Sequence, residues 1–252
     1  MDLFKSSTDS HAHSKQILDL LHDHDDFMDS INSVMDAGCG DGEDILWWAN
    51  AETRDDVPER HNYRCIALDK TLKRFKRNKT VPKNLHALEG DFENYKLSRA
   101  VDLVWSHNSL QYCENPAAVL RKFTEYLTPG GVLILSVPQT VNIEYSRWAS
   151  VCYPGQPFSF TISNLIYMLA SAGFDCKDGM FHKQLGSPWL SAMVYKSEHT
   201  PVVTTDTTWY ELMAKQLLPD SADQAVMRFG YLPQQELITR WIDQDIILWD
   251  RV

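Results

Sequence analysis

The chain has 252 residues, 44% hydrophobic and 23% charged, with 11 Gly and 11 Pro. That length can bury a sizeable core, and that balance excludes a collagen-like, low-complexity or disordered chain. The formal net charge of −10 argues against broad polyphosphate binding, because counterion release needs a positive footprint.

Periodicity predicts the elements in order. Residues 14–30 put Ile17, Leu20, Leu21, His24 and Met28 at helical spacing with acids opposite, an amphipathic helix. Ser33–Ala37 reads as a short strand, broken by GCGDG, after which Glu43–Asn50 resumes as a helix. Arg64–Leu68 is a second strand closed by Asp69, and Leu85–Leu88 a third, ending before Glu89, Gly90 and Asp91. Val101–Ser106 is a strand; Asn115 and Pro116 supply an N-cap and first-turn proline for a helix with Val119, Leu120, Phe123 and Leu127 on its apolar stripe. Pro129, Gly130 and Gly131 end that helix, and VLILSV over 132–137 is apolar nearly throughout, as a parallel strand covered on both faces must be. A long aromatic-rich connection follows over 138–160; connections of this length are usually functional. Thr161 opens a helix that Gly173 ends, strands are expected near Phe174–Cys176 and Trp189–Lys196, and the tail holds helices near Trp209–Leu217 and Gln234–Leu248.

Strands alternating with helices predict an open, doubly wound α/β sheet, in which ligands bind at the carboxyl ends of the strands near the switch point. The expected division is a helical cap over 1–30, a core over 31–197 with an insertion at about 138–160, and a helical extension over 198–252.

The chemistry therefore belongs to the ends of the strands that finish at Ala37, Leu68, Leu88 and Ser106. Gly38, Gly40 and Gly42 lie between a strand and a helix, where the backbone can turn sharply against a ligand. Glu43 occupies the last position of the dinucleotide pattern G-x-G-x-x-G, and Asp36, Asp41 and Asp44 crowd the same helix start. A phosphate wants bare N–H groups there; a cationic ligand suits this loop better.

With these residues in view, the sequence resembles the class I S-adenosylmethionine-dependent methyltransferases over roughly residues 30–197, especially the small-molecule branch that includes the ubiquinone-biosynthesis type. The resemblance implies a mostly parallel, seven-stranded Rossmann-like sheet, with an N-terminal helix and a helical C-terminal appendage. It implies S-adenosylmethionine as cofactor, S-adenosylhomocysteine as its product, and a small-molecule acceptor with an oxygen, nitrogen or carbon nucleophile. DAGCGDG resembles the first motif, so Asp36, Gly38, Cys39, Gly40 and Gly42 are expected around the methionine part. Asp69, with Lys70 beside it, falls where the family has an acid on the ribose hydroxyls, and Asp91 and Phe92 fall at the adenine. SHNSLQYCENP resembles the region after the fourth strand, placing Ser106, His107 and Asn108 at the cofactor. It also places His107 and Tyr112 as the catalytic candidates, His107 having an ordinary pKa of ~6.5 suited to a general base.

In the 138–160 connection, Tyr145, Arg147, Trp148 and Tyr153 are expected to close over the acceptor and exclude water. His11, His13, His22 and His24 sit among acids, but their spacing predicts a solvated acidic face and no metal site. Seven basic residues and no acid lie between Lys70 and Lys83, read as a solvated helix face, with RNA contact as the minor alternative. Neither Asn/Asp-Pro-Pro-Tyr nor Pro-Cys is present, so DNA bases are poor acceptors. An NAD(P)-dependent oxidoreductase, an RNA methyltransferase and a non-catalytic adenosine-ligand binding protein remain as alternatives. The five cysteines are odd in number and form no CxxC pair, no apolar run approaches ~20 residues, and the N-terminus lacks a secretory pattern. These features predict a cytoplasmic protein without a membrane span, as monomer or homodimer.

Overall fold

The computed structural model describes residues 6–51, 63–75, 81–138, 158, 160–183 and 189–231. Seven strands form one sheet: β1 (Ser33–Ala37), β2 (Arg64–Asp69), β3 (Leu85–Glu89), β4 (Val101–His107), β5 (Leu127–Pro138), β6 (Phe174–Lys183) and β7 (Trp189–Lys196). Their order is β3-β2-β1-β4-β5-β7-β6, with β7 antiparallel to both its neighbours and the first five strands parallel. The chain steps outward from β1 to β3 and returns to β4 on the other side of β1. The switch point, and the crevice it opens, therefore lies between the carboxyl ends of β1 and β4.

Alternation along each strand sends side chains to two separate cores. Val34, Cys65, Ala67, Leu103, Trp105 and Ile134 face α1 (Ser6–His22), α2 (Asp25–Ser30) and α3 (Glu43–Asn50). Met35, Ile66, Leu68, Val104, Leu133 and Leu135 face α4 (Pro116–Tyr126) and α5 (Ile162–Ser171). The second core also takes Leu212 of α6 (Trp209–Ala214) and Ala222, Ala225 and Val226 of α7 (Asp220–Phe229). The Leu217 carbonyl accepts from Cys176 N–H at 3.0 Å, so this part of the tail is stitched to the edge strand.

The caps expected for two helices are present. The Asn115 side chain accepts from Ala118 N–H with Pro116 in the first turn of α4, and Thr161 with Asn164 forms a capping box on α5.

Several boundaries differ from the sequence reading. The N-terminal helix begins at Ser6 and ends at His22, and a second helix starts at Asp25, so His24 is a cap between helices rather than a member of one stripe. β5 begins at Leu127, because that residue pairs with Val101 and a register shift between Val101 and Leu103 absorbs the Pro-Gly-Gly segment. β6 runs on to Lys183 past an irregularity between Asp175 and Met180, where Asp175 accepts from Lys177 and Asp178 N–H. α7 is an additional helix, and Gln234–Leu248 lies outside the described residues. Among the described residues no helix is long and apolar enough to cross a membrane.

Candidate active site

The loop after β1 is shaped by three carbonyl contacts. Gly38 and Cys39 N–H both reach the Leu68 carbonyl, at 2.8 and 3.2 Å, which draws the loop against the end of β2. Gly42 N–H then bonds the Cys39 carbonyl at 2.7 Å as α3 begins. At Gly38, φ is +89° and an added Cβ would lie 2.5 Å from the Ser109 Cβ, so backbone conformation and space both demand glycine. Ser109 is held in turn: its hydroxyl donates to the Ala37 carbonyl at 2.9 Å and lies 2.7 Å from the Ser106 hydroxyl. At Gly40 the space where a Cβ would go is open for 4 Å, and Gly40 N–H donates to Asp69 Oδ2 at 2.9 Å.

These contacts surround a pocket of about 460 Å³ at the switch point, within the range of small-ligand sites. Of the residues singled out from sequence, Asp36, Gly38, Cys39, Gly40, Asp69, Lys70, Phe92, His107, Asn108 and Tyr112 line it. Gly42 and Ser106 stand behind the wall, Gly42 opening α3 and Ser106 bracing Ser109. Asp91 also stands outside the lining. Its Oδ2 pairs with Lys70 Nζ at 3.0 Å and its Oδ1 accepts from Glu93 N–H at 3.0 Å. That pairing, first of all, raises the Lys70 ammonium above its ordinary pKa. Tyr145, Arg147, Trp148 and Tyr153 lie outside the described residues.

The sign of the pocket is acidic. Asp36, Asp41, Glu43, Asp44 and Asp69 line it against Lys70 and Arg74. Asp36 is 3% exposed, and burial, then Asp44, Asp69 and Asp41, push its carboxyl well above the ordinary carboxylate range. A buried carboxyl surrounded by like charges ionises readily only when a cation is brought beside it. Burial likewise drives the Cys39 thiol upward, so it remains a thiol.

Two features were missed in the sequence. First, α1 reaches over the pocket. His11 sits between two acids, with Nε2 3.3 Å from Asp41 and Nδ1 3.3 Å from Glu43. Ser14 donates to Asp44 at 2.8 Å, and Asp44 also accepts from Trp105 Nε1 at 2.9 Å. Because the helix was expected to begin at 14, the pairing of His11 with the glycine loop carried no signal. Second, His107 is enclosed by rings: Trp189 at 5.2 Å, His13 at 5.6 Å and Trp105 at 6.4 Å between centroids. Burial, then His13 and His11, lowers its pKa from 6.5 to about 3. At neutral pH it is an uncharged imidazole and a weak base, unlike the near-neutral base expected from sequence. Asn108 adopts φ +54°, its N–H bonds the Ser136 carbonyl at 2.9 Å and its Oδ1 accepts from Gln111 at 2.5 Å, which turns the chain away from the pocket floor. Tyr112 is exposed at the rim.

A seven-stranded, doubly wound sheet with an acid-lined glycine loop at its switch point is the architecture of the class I methyltransferases. Residues 35–135 match the family model described as a methyltransferase domain. Over those residues, less than half of its length, the chain is similar to methyltransferase domains. It is 28% identical over 122 residues to a malonyl-acyl-carrier-protein O-methyltransferase of Pseudescherichia vulneris, covering 47% of this chain and 45% of that one. A protein of the same description from Enterobacter lignolyticus (strain SCF1) is 32% identical over 101 residues, covering 40% and 36%. The matched segments thus span less than half the length of these curated relatives. In fold, the chain is similar to the Burkholderia thailandensis 1,6-didemethyltoxoflavin-N1-methyltransferase, whose structure holds 1,6-didemethyltoxoflavin and S-adenosylhomocysteine. There the TM-score is 0.52 at 16% identity, with 78% of this chain and 82% of that chain covered.

Proposed function

We propose that this chain transfers a methyl group from S-adenosylmethionine to a small-molecule acceptor. The observation that carries the reading is the buried Asp36 beside the open cradle at Gly40, in a pocket lined by five acidic side chains. A ligand with a sulfonium and an ammonium fits that charge, whereas the acids at the start of α3 disfavour the pyrophosphate of a dinucleotide. When bound, this cofactor supplies an already activated methyl group, so the protein's part is to align, desolvate and shield.

On this reading the Gly38–Gly42 loop and Asp36 hold the methionine part. Asp69, which already orders Gly40 and Thr71 N–H at 2.9 and 3.0 Å, takes the ribose. Phe92 packs against the base. Asp91 reaches the adenine amino group only if its pair with Lys70 opens. His107, Asn108 and Tyr112 stand at the acceptor end. With a pKa of about 3, His107 shapes that end as a neutral ring rather than removing a proton. The malonyl-acyl-carrier-protein O-methyltransferase relatives support an oxygen acceptor.

Calorimetry with S-adenosylmethionine, S-adenosylhomocysteine and NADH tests the cofactor: the first two should bind and NADH should not. Transfer of label from methyl-labelled S-adenosylmethionine to a metabolite mixture, with a malonyl thioester as a defined arm, tests the acceptor. Binding of NADH alone would sink the reading.

We also propose a cytoplasmic location, which the free, buried Cys39, Cys65, Cys113 and Cys176 support. For the basic run we expect only weak, salt-sensitive RNA association, because the net charge of −10 repels phosphates elsewhere. RNA binding that persists at physiological salt would promote an RNA acceptor instead.

A further inference from the structure

At the end of the sheet where β4, β5 and β7 meet, three side chains stand in one cross-strand row. His107 pairs in register with Ser136, and Ser136 with Ser191. The Ser136 and Ser191 hydroxyls are 2.8 Å apart, and Ser191 Oγ is 2.9 Å from His13 Nε2. A polar line therefore runs from β5 through β7 to α1. Beside it the rings of His13, His107 and Trp189 touch pairwise: His13 stacks on Trp189 at 5.6 Å and 15°, His107 lies 5.2 Å from Trp189, and His13 lies 5.6 Å from His107. The next residue of α1 reaches the same imidazole by another path. Ser14 donates to Asp44, Asp44 accepts from Trp105 Nε1, and Trp105 stacks on His107 at 19°.

Packing alone does not require this. α1 is already anchored one and two turns later by Ile17, Leu18 and Leu21, which are 3%, 2% and 1% exposed. Setting an imidazole and a hydroxyl on the sheet-facing middle of the helix costs free energy unless each finds a partner. Both find one, and both contacts lead to the walls of His107.

We propose that His13 is a positioning residue for the acceptor end of the site, holding the His107–Trp189 wall in place from α1 through its ring stack and its bond to Ser191. The inference rests on the reading that acceptor chemistry occurs beside His107, but its test does not depend on turnover. The groups facing His107 are His13, His11, Trp105 and Trp189. When the wall is closed, His107 is desolvated and stays neutral in mildly acidic solution.

The experiment is 15N NMR of the full chain labelled at histidine, titrated from about pH 8 to pH 4.5, with calorimetry against S-adenosylhomocysteine in parallel. His107 in the parent should stay neutral throughout. In His13→Ala its proton affinity should rise at least about a hundredfold, two units in midpoint, which brings the midpoint into the titrated range, while S-adenosylhomocysteine affinity stays within about twofold. His13→Phe, which keeps a ring against Trp189, should retain most of the closure, and Ser191→Ala should shift His107 in the same direction by less. If His13→Ala leaves the His107 titration unchanged in a protein that still melts cooperatively, the proposal is overturned. The same holds if both His13 variants lose S-adenosylhomocysteine binding more than about tenfold, since His13 would then serve the cofactor. Failure of the parent to bind S-adenosylhomocysteine would instead count against the proposed activity and leave the His107 titration to be judged by itself.

Discussion

The two halves of the pocket are built in different ways. The cofactor half is made from short, continuous pieces: Asp36 to Asp44 on one loop, Asp69 and Lys70 at the end of β2, and Phe92 just past β3. Each residue is positioned chiefly by its neighbours in sequence and by one strand end, so spacing alone carries the arrangement. The acceptor half is assembled from His13 on α1, Trp105 and His107 on β4, Ser136 on β5, and Trp189 and Ser191 on β7. Those residues meet only because α1 lies on the face of the sheet that Trp105 presents. The first half is rigid through backbone geometry, and the second through side-chain contacts between distant segments. Changes in the two halves should therefore fail differently.

The largest effect is expected from Gly38→Ala. A left-handed φ of +89° and a Cβ 2.5 Å from Ser109 combine strain and overlap, about 2–4 kcal/mol. S-adenosylhomocysteine binding should fall by about 30-fold or more in calorimetry, with a lowered Tm. Binding equal to the parent would show that the loop is not held as described.

Next is Asp69→Ala, expected to weaken cofactor binding by about 1.5–3 kcal/mol, because charge-assisted bonds to hydroxyls and loop amides are lost together. The fold should survive. An equal thermal shift by S-adenosylhomocysteine in variant and parent would remove Asp69 from the site.

The acceptor half can be probed by pH. His107 has a folded pKa depressed to about 3, so its neutral form contributes stability that is fully present above the unfolded value of ~6.5. That contribution is lost as pH falls toward about 3, and between about pH 7.5 and pH 5 the loss is about 2 kcal/mol. Asp36 and Asp44, both raised by burial, act in the opposite sense, favouring the fold as pH falls. The informative quantity is thus the difference between parent and His107→Phe in denaturant unfolding at the two pH values. A parallel pH dependence in both proteins would mean that His107 is not enclosed.

The smallest effect should come from Lys70→Ala. The Lys70 side chain is 55% exposed in its pair with Asp91, and such surface pairs contribute at most about 1 kcal/mol to stability. A larger loss in cofactor affinity than in stability would show that this pair organises the base end of the pocket.

Residues 33–51, 64–69, 101–106, 116–126 and 132–137 disclosed their elements readily, since short apolar runs, the Asn115 and Pro116 cap, and the glycine loop are local patterns. Where local signals conflicted with distant pairing, pairing prevailed. Thr128, Pro129 and Gly130 read as a turn, yet they belong to β5 because Leu127 pairs with Val101 across a bulge. β6 continues through Lys177, Asp178 and Gly179 because β7 supplies hydrogen-bonding partners on both sides of the irregularity. The polar stretch of α1 before Ser14 has no apolar period, so neither its start nor the part played by His11 and His13 was visible. The histidines read as a solvated face became contacts once α1 packed over the sheet.

The sequence by itself determined the alternation of strands and helices and the acid-lined glycine loop, because each depends on residues within a few positions of one another, and steric and hydrogen-bonding rules act at that range; the strand order, and with it the switch point, came from pairing between distant segments. Only the tertiary structure decided the protonation of His107, the pairing of Asp91 with Lys70 and the meeting of His13 with Trp189 and Ser191. Desolvation and charge coupling depend on which segments are brought together in space, and residues 13, 107 and 189 become neighbours only after the sheet has closed and α1 has settled on it.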